Sequence, residues 1–502
     1  MRLDLDFLPE PVLQFGEGEA VLPKDGLTRF GPYSLTMGAA HPGSVKVGLI
    51  GTADTIEQAR GFLRRCTRAV PSGLPDTRIA PAFPGFSDAL RSELITDTIF
   101  DVILDPAALD AAVQDDERSF HQTLDLLRDA IRRAAERDVR PDVIALCLPE
   151  EVKTKAGTYQ LPPRTGSDRT GDRSRLTASD AEKAAGQYSL FDLDEQAETL
   201  EDRALPDPAD LIRRDLRRAL KAAAMPHRIP IQLLTPSLFT DGTRGQQDPA
   251  TRAWNLSVAL FYKAGGLPWR FQPPHEHTCY VGISFHHLRT SAQHLVYASL
   301  AQAFSSYGDG FALRGAAMPW TEPGTDVHLD HDGMFDLLTQ VLAAYRERTG
   351  RDPLRVVVHK STRFHDDERD GAHRALADIP LVELMTLTSG DFRALRQGSY
   401  PPHRGSLARV GPATFLFTAG YMPELGTYPG PHIPVPIEIT PVGNLDMRQA
   451  AQDLLALTKL NWNNANPCAA FPITLSFARQ VGSIMAEVPD GQAPHPAYRF
   501  YM

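Results

Sequence analysis

Lys263-Ala-Gly-Gly-Leu-Pro-Trp269, followed by Tyr280-Val-Gly-Ile-Ser-Phe285, decides the reading of this chain. The first phrase has a lysine in the last turn of a helix and a Gly-Gly stop behind it, the usual chemistry of a helix C-terminus. The second is a short apolar run that reads as a buried strand. Upstream, Asp248-Pro249 is a helix start, with Asp as cap and Pro at the first helical position. Ile229-Pro-Ile-Gln-Leu-Leu234 is a further strand. Before it, Asp207-Pro208 starts a helix with the apolar stripe Leu211, Ile212, Leu216 and Leu220, which Pro226 stops.

The chain has 502 residues, enough for two or three domains. It is 42% hydrophobic and 23% charged, ordinary for a soluble globular protein. No apolar run is long enough to span a membrane. Met1-Arg-Leu-Asp-Leu-Asp6 has acids where a signal peptide has its apolar core, so a cytoplasmic location is expected. The four cysteines, Cys66, Cys147, Cys279 and Cys468, are scattered without a Cys-x-x-Cys pair, which disfavours a disulfide framework or a zinc ribbon. A net charge of -10 does not announce a nucleic-acid binder, yet a local basic groove on an acidic body is compatible with it.

Residues 1–40 read as an irregular extension with a strand or two. Ser44–Gly51 and Asp142–Leu148 are buried strands, and the helical spacings Thr55–Arg68 and Phe120–Arg137 lie between them. This alternation predicts an α/β domain with a parallel sheet. From about Lys153 to Leu205 the pattern gives way to a polar, acidic stretch, expected as a mobile insertion; Gln187–Asp192 is an apolar island within it. After Gly266 a second α/β unit is expected. Its strands are Tyr280–Phe285, Phe311–Met318, Val356–His359, Pro380–Leu387, Thr414–Thr418 and Val435–Thr440. Its helices are His331–Thr349, His373–Asp378, Met447–Leu457 and Ile473–Ala486.

Four residues suggest a phosphate pocket. Arg217 and Lys221 stand one helical turn apart and project from one face. Gln232 lies on the next strand and Lys263 at the end of the next helix. Two cations, an amide and a third cation suit a dianionic phosphate, which takes several charge-assisted hydrogen bonds. Alone, Arg213, Arg214, Arg217, Arg218 and Lys221 also fit the solvated face of an amphipathic helix, and Lys263 a helix-dipole partner.

The order and spacing Arg217…Lys221…Gln232…Asn255-Leu…Lys263-Ala-Gly-Gly-Leu-Pro-Trp269 resembles the 5′-phosphate pocket of the MID domain of Argonaute proteins. Tyr280-Val-Gly-Ile-Ser-Phe285 resembles the first strand of the PIWI domain. Leu457-Thr-Lys-Leu-Asn-Trp-Asn-Asn464 and Phe471-Pro-Ile-Thr-Leu-Ser-Phe-Ala478 resemble its closing helices. The resemblance covers about residues 40–502 and implies a short prokaryotic Argonaute. The implied fold is α/β, a Rossmann-like MID domain followed by an RNase H-like PIWI domain. The bounds would be 1–40 for the extension, 41–270 for MID and 271–502 for PIWI.

The resemblance implies that Lys221, Gln232 and Lys263 bind the 5′-phosphate of a guide. Arg217 stands where many members have an aromatic or His that stacks on the terminal base, a departure a guanidinium can partly replace. Asn255, Asn463 and Arg479 would touch later guide phosphates. The terminal carboxylate of Met502 would share a bound Mg²⁺ with the 5′-phosphate.

An RNase H-like nuclease needs acids for two metal ions. Here Ser284 takes the place of the first, Lys360-Ser361 of the second, and Asn461–Asn464 of the last, so catalysis is expected to be absent. Three other clusters are read as loop or helix-cap chemistry: His328, Asp330, His331 and Asp332; His365, Asp366, Asp367 and Asp370; His275, Glu276, His277 and Cys279. The implied partners are a small guide RNA, complementary single-stranded DNA, and an APAZ-domain effector fused to a TIR or Sir2-type NADase or a nuclease. Two alternatives stay open. One is an active Argonaute nuclease using displaced acids such as Asp330 or Asp366; the other is an α/β enzyme acting on a phosphorylated small molecule.

Overall fold

The computed structural model describes residues 3–114, 118–160, 213–239 and 247–502, apart from 274, 276, 290–293, 305–309, 320–327, 399, 429, 431–432, 490–491 and 493. Two sheets organise these residues. The smaller is parallel, in the order Ile231–Leu234, Val143–Cys147, Ser44–Gly51, Glu93–Ile95, with Val102–Ile103 beside the end of Ser44–Gly51. Its strands are apolar throughout because both faces are covered. Val143, Ala145 and Cys147 face the Ala53–Cys66 and Pro249–Lys263 helices. Ile144 and Leu146 face Ser119–Ala135 and Leu216–Ala224.

The larger sheet has nine strands. From one edge they are Leu3–Phe7, Ser406–Val410, Ala413–Leu416, Ile437–Pro441, Leu381–Ser389, Arg355–Lys360, Thr278–Arg289, His294–Phe304 and Gly310–Pro319. The last three form an antiparallel meander. Arg355–Lys360 and then Leu381–Ser389 add in parallel on the other side of Thr278–Arg289. That strand is therefore central, as Tyr280–Phe285 leads one to expect. Cys279, Val281 and Ile283 pack under the His331–Thr349 helix. Tyr280, on the opposite face, joins the core containing Met447–Leu457 and Ile473–Met485.

Gly282 admits the Ile473–Met485 helix so closely that a Cβ there would lie 1.7 Å from the Thr474 carbonyl oxygen. A side chain would force strand and helix apart.

Four expectations are corrected. Residues 1–40 are woven into the molecule. Leu3–Phe7 closes one edge of the large sheet, Leu13–Gln14 pairs with Arg270–Phe271, and Glu10 forms buried ion pairs with Arg404 and Lys459. Order continues past Lys153 to Gln160: Glu150–Ala156 is helical and Thr158–Gln160 pairs antiparallel with Arg213–Asp215. The rest of the expected insertion, including Gln187–Asp192, lies outside the described residues, as do Asp207, Pro208, Leu211 and Ile212. The helix expected from Asp207 begins at Leu216, capped by Asp215. The helix expected at His373–Asp378 is Asp366–Ala375. Its acid-rich first turn, read as loop chemistry, instead complements the helix dipole.

Candidate functional site

The four residues of the expected phosphate pocket come together where the small sheet meets the end of the chain. The Leu216–Ala224 helix starts because the Asp215 side chain accepts from the Arg218 amide at 3.0 Å. Lys221 follows Arg217 by one turn and is buried, 4% exposed, with Nζ donating to the Tyr501 carbonyl at 3.0 Å. Gln232 sits in the parallel strand, beside Ala145. Its Nε2 donates to the Leu233 carbonyl at 3.1 Å and its Oε1 accepts from Lys263 Nζ. Lys263, 2% exposed, ends the Pro249–Lys263 helix, whose cap is Asp248. Gly265, at φ +102°, then turns the chain away through a conformation that glycine adopts readily.

Burial and neighbouring positive charge depress these cations together. Lys221 lies well below its ordinary pKa, through burial first and then Arg217 and Lys263. Burial and Arg217 bring Lys263 to about 7. Arg217 falls to about 10, through burial and Arg218. Asp215 pushes Lys221 the other way, more weakly. Among the described residues, neither Lys221 nor Lys263 has an ion-pair partner; their contacts are a carbonyl and an amide oxygen. The arrangement is a buried positive pocket whose own negative charge falls short.

The C-terminal segment forms one wall. Tyr498 packs against Tyr262, Trp462 and Phe477. Tyr501 and Met502 are buried, and the Tyr501 hydroxyl donates to the His495 carbonyl at 2.7 Å. The Met502 carboxylate follows directly on the carbonyl that receives Lys221.

The two sequence phrases 190 residues apart interlock beside this wall. Trp269 Nε1 donates to the Lys459 carbonyl at 2.8 Å, and Trp462 Nε1 to the Trp269 carbonyl at 2.9 Å. Tyr262 stacks on Trp462, centroids 5.0 Å apart. Asn255, expected as a guide-backbone contact, is wholly buried. Its Oδ1 accepts from the Ala465 amide at 3.0 Å and its Nδ2 donates to Gln247 Oε1 at 3.4 Å. It fastens the 461–466 loop and has no free amide group to offer a ligand. Asn463, nearly buried, sits in that loop, with its amide donating to Asn461 Oδ1 at 2.9 Å. The side chain of Arg479 lies outside the described residues.

In the large sheet, Ser284 is buried on the central strand at a register shift between Gly282 and Ser284. Next to it, Ile283 pairs with Lys360. Lys360 is fully buried and carries its own acid: Nζ lies 2.9 Å from Glu368 Oε2, and donates to Thr362 Oγ1 and the Arg363 carbonyl. Glu368 also accepts from the Leu329 and His365 amides at 2.9 Å. Sequence reasoning passed over Glu368. The available signal was its position three residues after His365, the spacing of a capping box. Ser361 donates its amide to the Ile283 carbonyl at 3.4 Å.

The remaining clusters hold local structure. Asp330 caps His331–Thr349 by accepting from the Gly333 amide at 2.8 Å. Asp366 pairs with Arg369. His328 stacks on His365 at 3.9 Å. His359 is fully buried, with Nδ1 2.8 Å from Thr474 Oγ1, and burial drives its pKa to about 3. Cys279 is core, and Glu276 lies outside the described residues.

No family model and no curated protein matches this sequence. Solved structures do match in fold. One is the Argonaute of Clostridium butyricum bound to a guide DNA and a 19-mer target DNA, with TM-score 0.62 and 13% identity over 97% of this chain and 54% of that one. A. aeolicus Argonaute matches with TM-score 0.55 and 12% identity over 99% of this chain and 55% of that one. Aa-Ago with externally bound siRNA gives 0.56 and 12%, covering 99% and 56%. The chain thus has an Argonaute-like α/β fold and spans about half the length of the solved structures it matches. No helix among the described residues is long and apolar enough to cross a membrane.

Proposed function

We propose that this chain holds a guide nucleic acid by its 5′-phosphate in the Arg217, Lys221, Gln232 and Lys263 pocket. The observation that carries this reading is the pair of buried lysines without an ion-pair partner, set in an Argonaute-like fold. Each charge-assisted hydrogen bond to a phosphate is worth roughly 1.5–3 kcal/mol. A dianion replaces the missing negative charge for all three cations at once. The guide is a small RNA, complementary single-stranded DNA pairs with it, and the protein grips the backbones through salt-dependent contacts.

Mg²⁺ suits this pocket only together with the phosphate. The terminal carboxylate of Met502 and the carbonyl before it are the nearby oxygens, and Mg²⁺ commonly takes one or two carboxylates plus phosphate oxygens. Alone among three cations it would be repelled. Met502 would hold the ion, and the ion would add charge neutralisation to the phosphate.

On this reading the chain binds without cutting. Ser284 offers no charge, Lys360 keeps Glu368 engaged, and Asn463 is an amide. Asp330 and Asp366, the acids that a displaced nuclease site would use, are occupied in a cap and an ion pair. A sensor without a nuclease requires an effector, and a short Argonaute would supply its signal to an APAZ-domain partner carrying a TIR or Sir2-type NADase or a nuclease. The biological setting would be cytoplasmic defence against plasmids or phage.

The test compares a 5′-phosphorylated RNA with the same RNA bearing a 5′-hydroxyl, on the wild type and on Lys221→Ala/Lys263→Ala. A strong phosphate preference that the double variant loses is expected. Equal binding of both RNAs by the wild type would remove the pocket assignment. A free mononucleotide bound as tightly as the oligonucleotide would favour the small-molecule enzyme. Cleavage of the paired DNA with Mg²⁺ would restore the nuclease reading.

A further inference from the structure

Leu3-Asp-Leu-Asp-Phe7 is the outermost strand of the nine-stranded sheet. Its inner side pairs antiparallel with Ser406–Val410, from Leu3 opposite Val410 to Phe7 opposite Ser406. Its outer side has no neighbouring strand among the described residues. Strand alternation places Leu3, Leu5 and Phe7 on one face and Asp4 and Asp6 on the other. The three apolar side chains are 51%, 66% and 48% exposed.

Each face continues inward into built structure. Leu5 lies opposite Ala408, which is buried and lies opposite Phe415. Phe415 stacks on Phe392 at 5.2 Å, and the Phe7 ring lies 5.6 Å from His403. On the acidic face, Asp6 pairs with Arg448 and Asp4 lies opposite Arg409. The apolar face is thus a covered sheet surface whose cover ends one strand early.

Folded proteins usually blunt such an edge with lysine, proline, a bulge or a covering segment. Leu3–Phe7 has five residues in unbroken register, with no proline and no lysine. We propose that this edge takes a β-strand from a different protein, one whose residues alternate apolar and basic. Main-chain hydrogen bonds along the open edge supply the attachment. Apolar residues of the incoming strand extend the Leu3, Leu5 and Phe7 face, and its lysines or arginines fall beside Asp4 and Asp6. The same charges discriminate against a second copy. Two such strands paired antiparallel about Leu5 would set Asp4 against Asp6, and like charges directly opposite are destabilising. The surface is separate from the phosphate pocket and stands whether or not a guide is bound there.

The experiment uses the full chain and a synthetic strand peptide alternating valine and lysine. A peptide of the same composition in shuffled order is the control. The alternating peptide is expected to slow hydrogen exchange at residues 3–7 and to bind more tightly than the shuffled one. Leu5→Lys is expected to weaken it about tenfold or more, since burying a leucine side chain carries at least that much. The thermal melt should stay unchanged, because Leu5 is two-thirds exposed. Asp4→Lys should shift the preference to a valine–glutamate peptide. Equal effects of alternating and shuffled peptides, or unaltered exchange at millimolar peptide, would overturn the proposal. So would self-association that Leu5→Lys abolishes, which would assign the edge to a second copy.

Discussion

Buried cations occur in both halves of this molecule, and they are treated differently. In the large sheet each is matched. Lys360 meets Glu368 at 2.9 Å, Arg355 meets Glu383 at 2.7 Å and Asp453 at 2.6 Å, and Arg404 and Lys459 share Glu10 at 2.7 and 2.9 Å. In the small-sheet pocket, Lys221 and Lys263 are almost as buried, yet find only a carbonyl and an amide oxygen. A charge removed from water without a partner carries a desolvation penalty of several kcal/mol. The chain evidently can place an acid beside a buried lysine. Where it does not, the lysines are held ready for negative charge from outside.

The comparison breaks most visibly at the matched pair. Glu368→Gln leaves Lys360 buried and unpaired, and should destabilise the protein by about 3–5 kcal/mol in urea unfolding. Lys221→Met should act in the opposite direction. Unfolding should be unchanged or harder by up to about 4 kcal/mol, while the preference for a 5′-phosphate disappears. A large destabilisation by Lys221→Met would mean that the pocket lysine is a structural member like Lys360.

Acid–base behaviour sharpens the same contrast. Lys263 is held near 7 when folded, against an ordinary value of 10.5. Between those values the unfolded chain binds more protons than the folded one, so the stability of the unliganded protein rises as pH climbs from 7 toward 10.5. A bound phosphate lifts the lysine's pKa, so binding takes up a proton and weakens from pH 7 to pH 9. Calorimetry in buffers of different ionisation heat measures that uptake; none at pH 8 would contradict the assignment. The smallest effect concerns Asp215, which both caps the pocket helix and opposes the depression of Lys221. Asp215→Ala should cost about 1 kcal/mol of stability. Asp215→Asn should keep the cap and leave stability nearly unchanged, while lowering the Lys221 pKa further, as read by NMR titration.

Much of this was legible in the sequence. Ser44–Gly51, His331–Thr349 and Met447–Leu457 match their expected spans because periodicity and caps agree there. Arg217, Lys221, Gln232 and Lys263 converge as their spacing suggested. Asn255 and the Leu457–Asn464 phrase were equally conspicuous for another reason: they lock the two halves together. A motif's visibility therefore does not separate packing from ligand contact. The misses are tertiary. Nothing local in Leu3-Asp-Leu-Asp-Phe7 reveals a strand whose partner lies at Ser406–Val410, or that Glu10 neutralises Arg404 and Lys459. The helix starting at Leu216 was misplaced because Asp207-Pro208 offered a stronger local start signal than Asp215.

That long-range ladder has a consequence in time. Leu3–Phe7 and Ser406–Val410 are roughly 400 residues apart, and ribosomes add about 5–20 residues per second, so the earlier strand waits on the order of 20–80 s for its partner. Throughout that interval Glu10 has no cation to neutralise and the leucines have no sheet to join. Nascent-chain chaperones meet this segment early and must hold it long. A residue made near the beginning is placed near the end, so slowing elongation before residue 410 should lengthen the period in which the chain is prone to aggregate.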